Sequence, residues 1–527
     1  MIESTANTGR ILAEYRLSCP PAEAEDLARK IAYEQTVELP ESLVTNTLIR
    51  DQVAGRVESV FQAGQAMSAR ISYNPELCSR QLSQLLILLF GNVSLYPGVR
   101  LVSMQLPEGL LSAFRGPAFG IDGVREMLGV YGRPLLATAI KPRGLPLTQM
   151  TAMAAGFARG GGDIIKDDQN LADDLPAFKE RVTACFEAVA AANAKTGGNC
   201  LYFPHISAPA DQLETRFQYA QGLGVRGVLL CPMVYGLDSI CSLANRYGLV
   251  VMAHPALSGG FTGNHTQGID HGLLLGTLFR LAGADISIFP SFGGRFSYTP
   301  EECRGIRDRL QEPLGNIRCA LPAPAGGMQY DNLPELCRFY GAESVFLIGG
   351  ALQAEGPDLE TTTRAFRDRL LEYFPERLQP PAGALVSACE IPDRNVSPLR
   401  GLLKYLEGFH WQDRRAIDYK PNNTLPFHAV KRVELMGQHG EQTAFDLRYF
   451  EIGPGGYTSL ERHRHTHVVI GVRGIGKLLA GERRETLGYL DIAYIGPTEV
   501  HQIRNEAEEP FGFFCIVDHR RDRPLAP

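Results

Sequence analysis

The chain has 527 residues, of which 44% are hydrophobic and 21% charged, a composition that excludes a disordered or fibrous protein. Its formal net charge of −6, from 52 basic and 58 acidic residues, argues against a nucleic-acid-binding or anionic-membrane-binding surface. The 11 cysteines form no CxxC pair, the start is polar, and the longest apolar run, 85–90, is far too short to span a membrane. We therefore expect a cytoplasmic protein of two or three domains with reduced thiols and no nucleic-acid or membrane partner.

The first part of the chain mixes strand and helix patterns. Residues 11–19 and 57–74 alternate as strands do, whereas the apolar residues of 21–35 repeat with a helical period and 77–91 resemble a second helix. This mixture predicts a small α+β domain over 1–125.

From Arg133 onward, apolar strand-like runs alternate with helical stretches such as 177–195 and 358–374. The strand-like runs are 134–142, 162–168, 200–207, 227–233, 249–257, 285–291, 319–327 and 344–350. Eight βα units at this spacing predict a (β/α)8 TIM barrel over 126–380. A doubly wound open sheet is the alternative that the pattern leaves open.

A stretch rich in proline and glycine at 376–400 interrupts the alternation and predicts a linker over 381–415. Residues 444–505 then form short strand patterns separated by glycine turns. They predict a small all-β barrel over 416–527. The predicted fold class is therefore α/β, with an α+β domain before the TIM barrel and an all-β barrel after it.

Charged residues follow the first two strands of the predicted TIM barrel. Lys141 and Arg143 end the first strand, and the run Lys-Asp-Asp-Gln-Asn at 166–170 ends the second. Active sites of such barrels lie at the carboxyl ends of the strands. Carboxylate and amide oxygens suit Mg²⁺, although the same cluster on its own is typical of a solvated turn.

The motif GRPLLATAIKPRG at 132–144, followed by GGGDIIKDDQN at 160–170, resembles the RuBisCO large subunit and its RuBisCO-like (form IV) relatives. The resemblance covers roughly residues 10–375 and includes the N-terminal α+β domain. It implies that Lys166 takes up CO₂ as a carbamate and that Asp168 is a Mg²⁺ ligand. The third ligand of the family is a glutamate, which is Gln169 in this chain.

The resemblance implies roles for further residues. Lys141 takes the place of the lysine that acts as a base on the substrate, and Arg143 that of a second lysine that holds substrate. Asn92 and Glu34 resemble N-terminal-domain residues that reach the partner's site, so the family pattern implies a homodimer or larger homo-oligomer. His254 matches a histidine that contacts substrate at the end of the fifth strand.

Other positions depart from the carboxylases. Pro255 and Ser258 replace an arginine and a histidine, and Arg295 replaces the lysine that closes over CO₂. Ala139 and Ala325 replace hydroxyl residues that contact substrate. The resemblance therefore implies an enolising enzyme that is not a carboxylase.

Two pairs of glycines follow the last two barrel strands. Gly326-Gly327 and Gly349-Gly350 offer backbone N–H groups that an anion can approach closely. Each pair alone is common in turns, but both together at neighbouring strand ends predict a phosphate site. The expected substrate is therefore a phosphorylated small molecule.

Four histidines mark the C-terminal barrel. His463, His465 and His467 alternate along one segment, and His501 lies on a later strand. Alternate residues of a strand share a face, so the cluster predicts a divalent transition metal such as Mn, Fe, Ni or Zn. The spacing resembles the two motifs of the cupin family, whose acidic or glutamine ligand would fall at Val469.

The function expected from these features is isomerisation of 5-methylthioribulose 1-phosphate in methylthioadenosine salvage. The fused cupin would process the product, 1-methylthioxylulose 5-phosphate, with release of methanethiol. Two alternatives stay open: an enolase or decarboxylase of a phosphorylated keto acid, and a non-catalytic barrel with a regulatory cupin.

Overall fold

The computed structural model describes residues 9–356, 358–374, 403–406, 409–411, 414, 416–419, 426–437, 443, 445–463 and 465–518. It divides into two compact units, Met1–Cys389 and Glu390–Pro527. Most of the predicted linker, 381–402, lies outside the described residues. Within the described residues, no helix is both long enough and apolar enough to cross a membrane.

The N-terminal domain is an antiparallel sheet covered by two helices. Its regular elements are β1 (Ile11–Leu17), α1 (Ala24–Glu34), β2 (Arg56–Ala63), β3 (Ala66–Tyr73), α2 (Leu82–Phe90), β4 (Val99–Gln105) and α3 (Glu108–Leu111). Short 3-10 or π turns lie at Pro21–Glu23, Glu41–Leu43, Ile49–Val53, Pro75–Cys78 and Asn92–Leu95. The apolar residues that alternate along β1 are buried beneath α1 and α2, as the period-two pattern predicts. Strand β4 was not anticipated from the sequence pattern.

The second part of this unit is the predicted barrel. Its elements are α4 (Gly120–Leu128), β5 (Leu135–Ala139), α5 (Leu147–Arg159), β6 (Ile164–Lys166), α6 (Leu175–Thr196), β7 (Leu201–Phe203), α7 (Ala210–Leu223), β8 (Gly227–Leu230), α8 (Pro232–Tyr235), α9 (Leu237–Arg246), β9 (Val250–Ala253), α10 (Gly259–Thr262), β10 (Gly268–Ile269), a π helix (Gly272–Leu278), α11 (Phe279–Ala282), β11 (Ile286–Pro290), α12 (Pro300–Gln311), β12 (Leu321–Ala325), α13 (Leu333–Tyr340), β13 (Val345–Leu347), α14 (Gly350–Ala354) and α15 (Leu359–Tyr373). All eight strands predicted for the barrel are present.

The barrel strands pair in parallel, in the order β7-β6-β5-β13-β12-β11-β9-β8. The ring closes between β7 and β8, where Leu229 N donates to Pro204 O at 2.9 Å and Ile206 N donates to Leu229 O at 3.1 Å. This closure confirms the TIM barrel and excludes the open sheet. The two-residue strand β10 instead leaves the barrel and pairs with β4, so a segment of the barrel completes the N-terminal sheet.

Apolar side chains at alternate positions fill the barrel interior. They are Leu135, Ala137, Ile164, Phe203, Leu229, Val250, Met252, Ile286, Ile288, Leu321, Ala323, Val345 and Leu347. Helix α4 closes the amino-terminal end of this core with Val124 and Leu128. Because side chains alternate, the next inward position on each strand lies at the carboxyl edge of the barrel.

The C-terminal unit is all-β. Its strands are β14 (Tyr405–Leu406), β15 (His410–Trp411), β16 (Ala416–Asp418), β17 (His428–Met436), β18 (Phe445–Tyr457), β19 (His467–Arg473), β20 (Gly476–Ala480), β21 (Arg483–Leu487), β22 (Ile492–Ile495), β23 (His501–Arg504) and β24 (Phe511–Asp518). Nine of these strands, β16–β24, form one antiparallel sheet around an apolar core. Trp411, which falls in the segment predicted as linker, packs against Val433 and Tyr449 of this unit.

A buried ion pair ties together the amino-terminal ends of two barrel strands. The guanidinium of Arg133 donates to both carboxylate oxygens of Asp163, at 2.7 and 2.9 Å, and the side chains are 1% and 5% exposed. Asp163 also accepts from the backbone N–H of Leu136 at 2.6 Å. Removing the carboxylate would therefore leave a buried cation and a buried N–H without this acceptor.

We expect Asp163→Ala to lower the free energy of unfolding by about 3–5 kcal/mol, because it leaves a buried charge uncompensated. Urea denaturation followed by helical circular dichroism measures the change, since the helices described lie in the first unit. The control is Glu25→Ala, which breaks the exposed Arg29–Glu25 pair and should cost less than about 1 kcal/mol. A loss as small as that in Asp163→Ala would contradict the prediction.

Candidate active site and candidate metal centre

The Lys-Asp-Asp motif lies where β6 ends. Lys166, Asp167 and Asp168 are all buried, and alternation turns Lys166 and Asp168 to the inside of the barrel, like Ile164 before them. Asp167 faces the other way and accepts hydrogen bonds from Arg181 of α6, from the Tyr202 hydroxyl and from a backbone N–H. The outward carboxylate therefore anchors the turn that presents the inward pair.

The inward pair lies beside Lys141. Lys141 Nζ is 3.1 Å from one oxygen of Asp168, and the N–H of Asn170 donates to the other at 2.9 Å. Burial opposes ionisation of Asp168, but this N–H and the two lysines outweigh it and hold the pKa of the carboxyl below its usual range. Lys166 Nζ donates to Asp167 O at 3.1 Å. Burial, with a contribution from Lys141, lowers the pKa of Lys166 to about 8.

The donor set at this edge suits Mg²⁺. Asp168 offers carboxylate oxygens, and Gln169, which is half-buried, carries an amide oxygen. A lysine whose pKa is about 8 holds an appreciable neutral fraction near pH 7, and the neutral amine is the form that reacts with CO₂. The residues present therefore fit a Mg²⁺ ion held with a carbamate, as the family pattern implies.

Three more side chains reach this edge from β7, β8 and β9. His254 was predicted from the sequence, whereas His205 and Cys231 were not. Each of the three follows an interior core residue by two positions, a spacing that could have revealed them. His205 Nδ1 lies 3.1 Å from Leu171 O, and its Nε2 lies 3.7 Å from Cys231 Sγ.

Both histidines are held neutral. Burial, reinforced by the positive charge of Lys166, lowers the pKa of His254 to about 3. Burial also lowers the pKa of His205. Near neutral pH, His254 therefore presents a neutral imidazole beside Lys166 and Asp168. The Ala256 N–H donates to His254 Nδ1 at 3.1 Å, which leaves Nε2 as the protonated nitrogen of that ring.

The two predicted glycine pairs differ in their surroundings. Gly326 and Gly327 have φ of +80° and +70°, and a Cβ on Gly327 would lie 2.5 Å from the Cα of Gly294. Only glycine fits there, because the loop after β11 packs directly on this turn. At Gly349 and Gly350 nothing lies within 4 Å of a built Cβ, so the space over the end of β13 is open.

The remaining barrel-mouth candidates lie on exposed loops. Arg143 follows β5, and Arg295 follows β11 with its guanidinium carbon 5.0 Å from the ring centroid of Phe296. In the N-terminal domain, Asn92 Nδ2 donates to Glu34 at 3.0 Å, so these two predicted residues do lie together. That they complete a partner's site stays a prediction.

The C-terminal unit brings three of its four predicted histidines together. One ring nitrogen each of His463, His467 and His501 lies within 4.8 Å of the others. The fourth, His465, stacks on His463 with ring centroids 3.7 Å apart. Burial and the neighbouring histidines lower the pKa of His463 to about 4 and hold that of His467 well below its usual value. Neutral imidazoles are the form that binds metals.

The two closest of these nitrogens indicate a cation site. His463 Nε2 lies 3.2 Å from His501 Nε2, a separation that suits two ligands of one ion with metal–nitrogen bonds of about 2.0–2.1 Å. The buried Nε2 of His467 has no hydrogen-bond partner among the residues that the structure describes. Val469, at the position where the cupin motif carries an acidic or glutamine ligand, is an apolar core residue. The cluster therefore fits a divalent metal held by three histidines.

Comparison with known proteins identifies the family to which this chain is related. The sequence model of the protein family described as ribulose bisphosphate carboxylase large chain, catalytic domain, matches residues 120–356. Ribulose bisphosphate carboxylase-like protein 1 of Rhodopseudomonas palustris is 41% identical over 353 residues, which are 66% of this chain and 94% of that protein. The 5-methylthioribulose-1-phosphate isomerase of Rhodospirillum rubrum is 36% identical, over 68% of this chain and 96% of that protein.

A further relative and a solved structure are also similar to this chain. The 2,3-diketo-5-methylthiopentyl-1-phosphate enolase of Geobacillus kaustophilus is 33% identical, over 56% of this chain and 73% of that protein. The crystal structure of a Rubisco-like protein from Rhodopseudomonas palustris superposes with a TM-score of 0.63 at 35% identity, covering 69% of this chain and 98% of that one. This chain carries the Lys-Asp-Asp turn at the second strand of a closed barrel, and it matches the Rhodopseudomonas palustris and Rhodospirillum rubrum relatives over 94% and 96% of their length. It belongs to the RuBisCO large-chain family.

Proposed function

We propose that the barrel isomerises 5-methylthioribulose 1-phosphate to 1-methylthioxylulose 5-phosphate. The observation that carries the proposal is the meeting of Lys141, Lys166 and Asp168 at the carboxyl edge of the barrel, with glycine turns at the ends of β12 and β13. A base beside a metal-binding carboxylate suits removal of a proton next to a carbonyl, and the glycines suit a phosphate. The isomerase of Rhodospirillum rubrum, matched over 96% of its length, supports this substrate.

The conversion moves the carbonyl from C2 to C4 of the sugar chain. Each step takes a proton from the carbon next to the carbonyl and returns one to the former carbonyl carbon, so two such transfers are needed and no electrons are gained or lost. We assign the removal of the first proton to Lys141. His254, whose pKa of about 3 keeps it neutral, is the second candidate carrier.

Asp168, Gln169 and the carbamate of Lys166 would hold Mg²⁺ in this site. The ion would polarise the carbonyl beside the carbon that loses its proton. The Lys141–Asp168 ion pair places the Lys141 amine beside the carboxylate that would bind the ion.

An enolase of a related phosphorylated substrate is the second candidate, and the Geobacillus kaustophilus relative supports it. The same base and phosphate site would serve, since an enolase also removes a proton next to a carbonyl. The two functions separate by substrate. An enolase turns over 2,3-diketo-5-methylthiopentyl 1-phosphate and leaves 5-methylthioribulose 1-phosphate unchanged.

We expect Lys141→Met to reduce turnover of 5-methylthioribulose 1-phosphate by at least about 100-fold, because it removes the proposed general base. NMR in D₂O with Mg²⁺ and bicarbonate follows both product formation and deuterium uptake. Substrate binding, measured by calorimetry, should change little, since the glycine turns are untouched. The matched control is Lys195→Met, on the exposed end of α6, which should behave as the parent. Unchanged turnover in Lys141→Met would move the base to another residue, with His254 next.

We expect no carboxylation of ribulose 1,5-bisphosphate. Arg295, Pro255 and Ser258 stand where the carboxylases carry groups that stabilise CO₂ addition, so the developing negative charge lacks its partners. The measurement is acid-stable label from radioactive bicarbonate, with a true RuBisCO as positive control. Label fixed above the enzyme-free background would refute the prediction.

For the C-terminal unit we propose a metal centre, built from His463, His467 and His501, that acts on the product of the barrel. A divalent ion there would stabilise the enolate formed when the C–S bond next to the carbonyl breaks. Replacing that C–S bond by C–H takes up two electrons and two protons, so a thiol reductant is part of the proposal. Two thiols supply these electrons and protons and form a disulfide, and the sulfur of the broken bond leaves as methanethiol. The rival is a regulatory role, in which the same metal controls the barrel.

We expect His467→Ala to abolish stoichiometric metal at the C-terminal unit, because it removes one of three ligands. Elemental analysis of the purified full chain measures this, and His428→Ala, an exposed histidine on β17, is the control. In the same variant, isomerisation followed by NMR should continue while thiol release stops and the methylthio-sugar phosphate accumulates. Slower isomerisation would favour the regulatory role, and thiol release at the parent rate would refute the second active site.

A further inference from the structure

Two of the three histidines share one hydrogen-bond pattern. His463 Nδ1 lies 2.8 Å from His465 O, and His501 Nδ1 lies 2.9 Å from Glu499 O. A carbonyl oxygen only accepts, so each Nδ1 must carry the hydrogen and donate. In the neutral ring Nε2 is then a bare lone pair, and the two Nε2 atoms face each other at 3.2 Å. Backbone carbonyls therefore set the metal-binding tautomer of two ligands.

The third ligand has a side chain in place of the carbonyl. His467 Nδ1 lies 3.6 Å from Cys515 Sγ, and the same sulfur lies 3.5 Å from Arg448 Nη2. A guanidinium cannot accept a hydrogen bond, so the sulfur is the acceptor for Arg448. The pattern of the other two rings makes it the acceptor for His467 Nδ1 as well, which leaves the buried Nε2 of His467 for the ion.

The position of this cysteine in the sheet is also informative. In the β19–β24 ladder Cys515 is directly opposite Val469, the position at which the cupin motif carries an acidic or glutamine ligand. In the β18–β24 ladder it is directly opposite Arg448. Directly opposed residues share a face of the sheet, so the thiol and the guanidinium lie in one row beside Val469, where the cupin motif carries a further ligand.

We propose that Cys515, held by Arg448, is a positioning residue for the metal centre, which fixes His467 in the Nδ1–H tautomer and aims its Nε2 at the ion. The proposal rests on the three-histidine centre proposed above. Cys515 acts on the metal only through His467, because its sulfur contacts the other ring nitrogen. Residues that hydrogen-bond to a metal ligand contribute about 10–100-fold to metal affinity.

The test is titration with Co²⁺ of the metal-free full chain carrying Lys166→Met, so that the barrel cannot form a carbamate. Visible absorption reports both the affinity and the ligand geometry. Cys515→Ala should weaken Co²⁺ binding about 10–100-fold and change the spectrum, whereas Cys515→Ser, which keeps an acceptor, should recover most of the affinity. Val430→Ala, a deletion in the same core, should lower the melting temperature without this loss.

Each outcome decides between the claims. The role of Cys515 is overturned if Cys515→Ala binds Co²⁺ as tightly as the parent does. It is also overturned if Cys515→Ala binds Co²⁺ no more weakly than Val430→Ala does. His467→Ala binding as tightly as the parent overturns the metal centre itself.

If Cys515→Ala does not fold, the tautomer is measured directly in the parent. Histidine ¹⁵N–¹H correlation spectra, assigned with His467→Gln, should show protonated Nδ1 and bare Nε2 for His467. A protonated Nε2 in the metal-free chain would overturn the proposal.

Discussion

The buried contact between Asp167 and Arg181 is the interaction on which the barrel site depends. Three charged residues in a row cannot all face the inside of a barrel, because strand residues alternate. Asp167 takes the outward position, where Arg181 and the Tyr202 hydroxyl compensate its charge. Lys166 and Asp168 are thereby fixed on the inside. A buried carboxylate without such partners would be protonated or would disrupt the strand end.

The electrostatics of the site follow from this arrangement. Lys141, Lys166 and Asp168 meet at this edge, and their charges act on the ionisation of Lys166 and Asp168. Burial lowers the pKa of Lys166 to about 8, while the Asn170 N–H and the two lysines outweigh burial and keep Asp168 ionised. The same charges, added to burial, keep His254 neutral. The ends of β6 and β9 therefore place an amine of lowered pKa, an ionised carboxylate and a neutral imidazole at one edge of the barrel.

Both units contain titratable side chains that must be held in one protonation state, and main-chain hydrogen bonds contribute to this in each. In the barrel, the backbone N–H of His205 donates to Asp167 and that of Asn170 to Asp168. In the C-terminal unit, backbone carbonyls orient His463 and His501. Main-chain groups are suited to this because their positions are fixed by the strands and turns that carry them.

The sequence by itself determined the local features. The alternation of apolar strand-like runs with helical stretches located the eight barrel strands, and the Lys-Asp-Asp motif located the candidate site within them. The glycine pairs and the alternating histidines were readable for the same reason, since each depends on residues that are neighbours in the chain. Only the tertiary structure decided what meets across strands. Closure between β7 and β8 brings His205 to Cys231, and the ladders of β24 bring Cys515 to His467. Such contacts depend on the register between strands distant in sequence, which local periodicity does not encode.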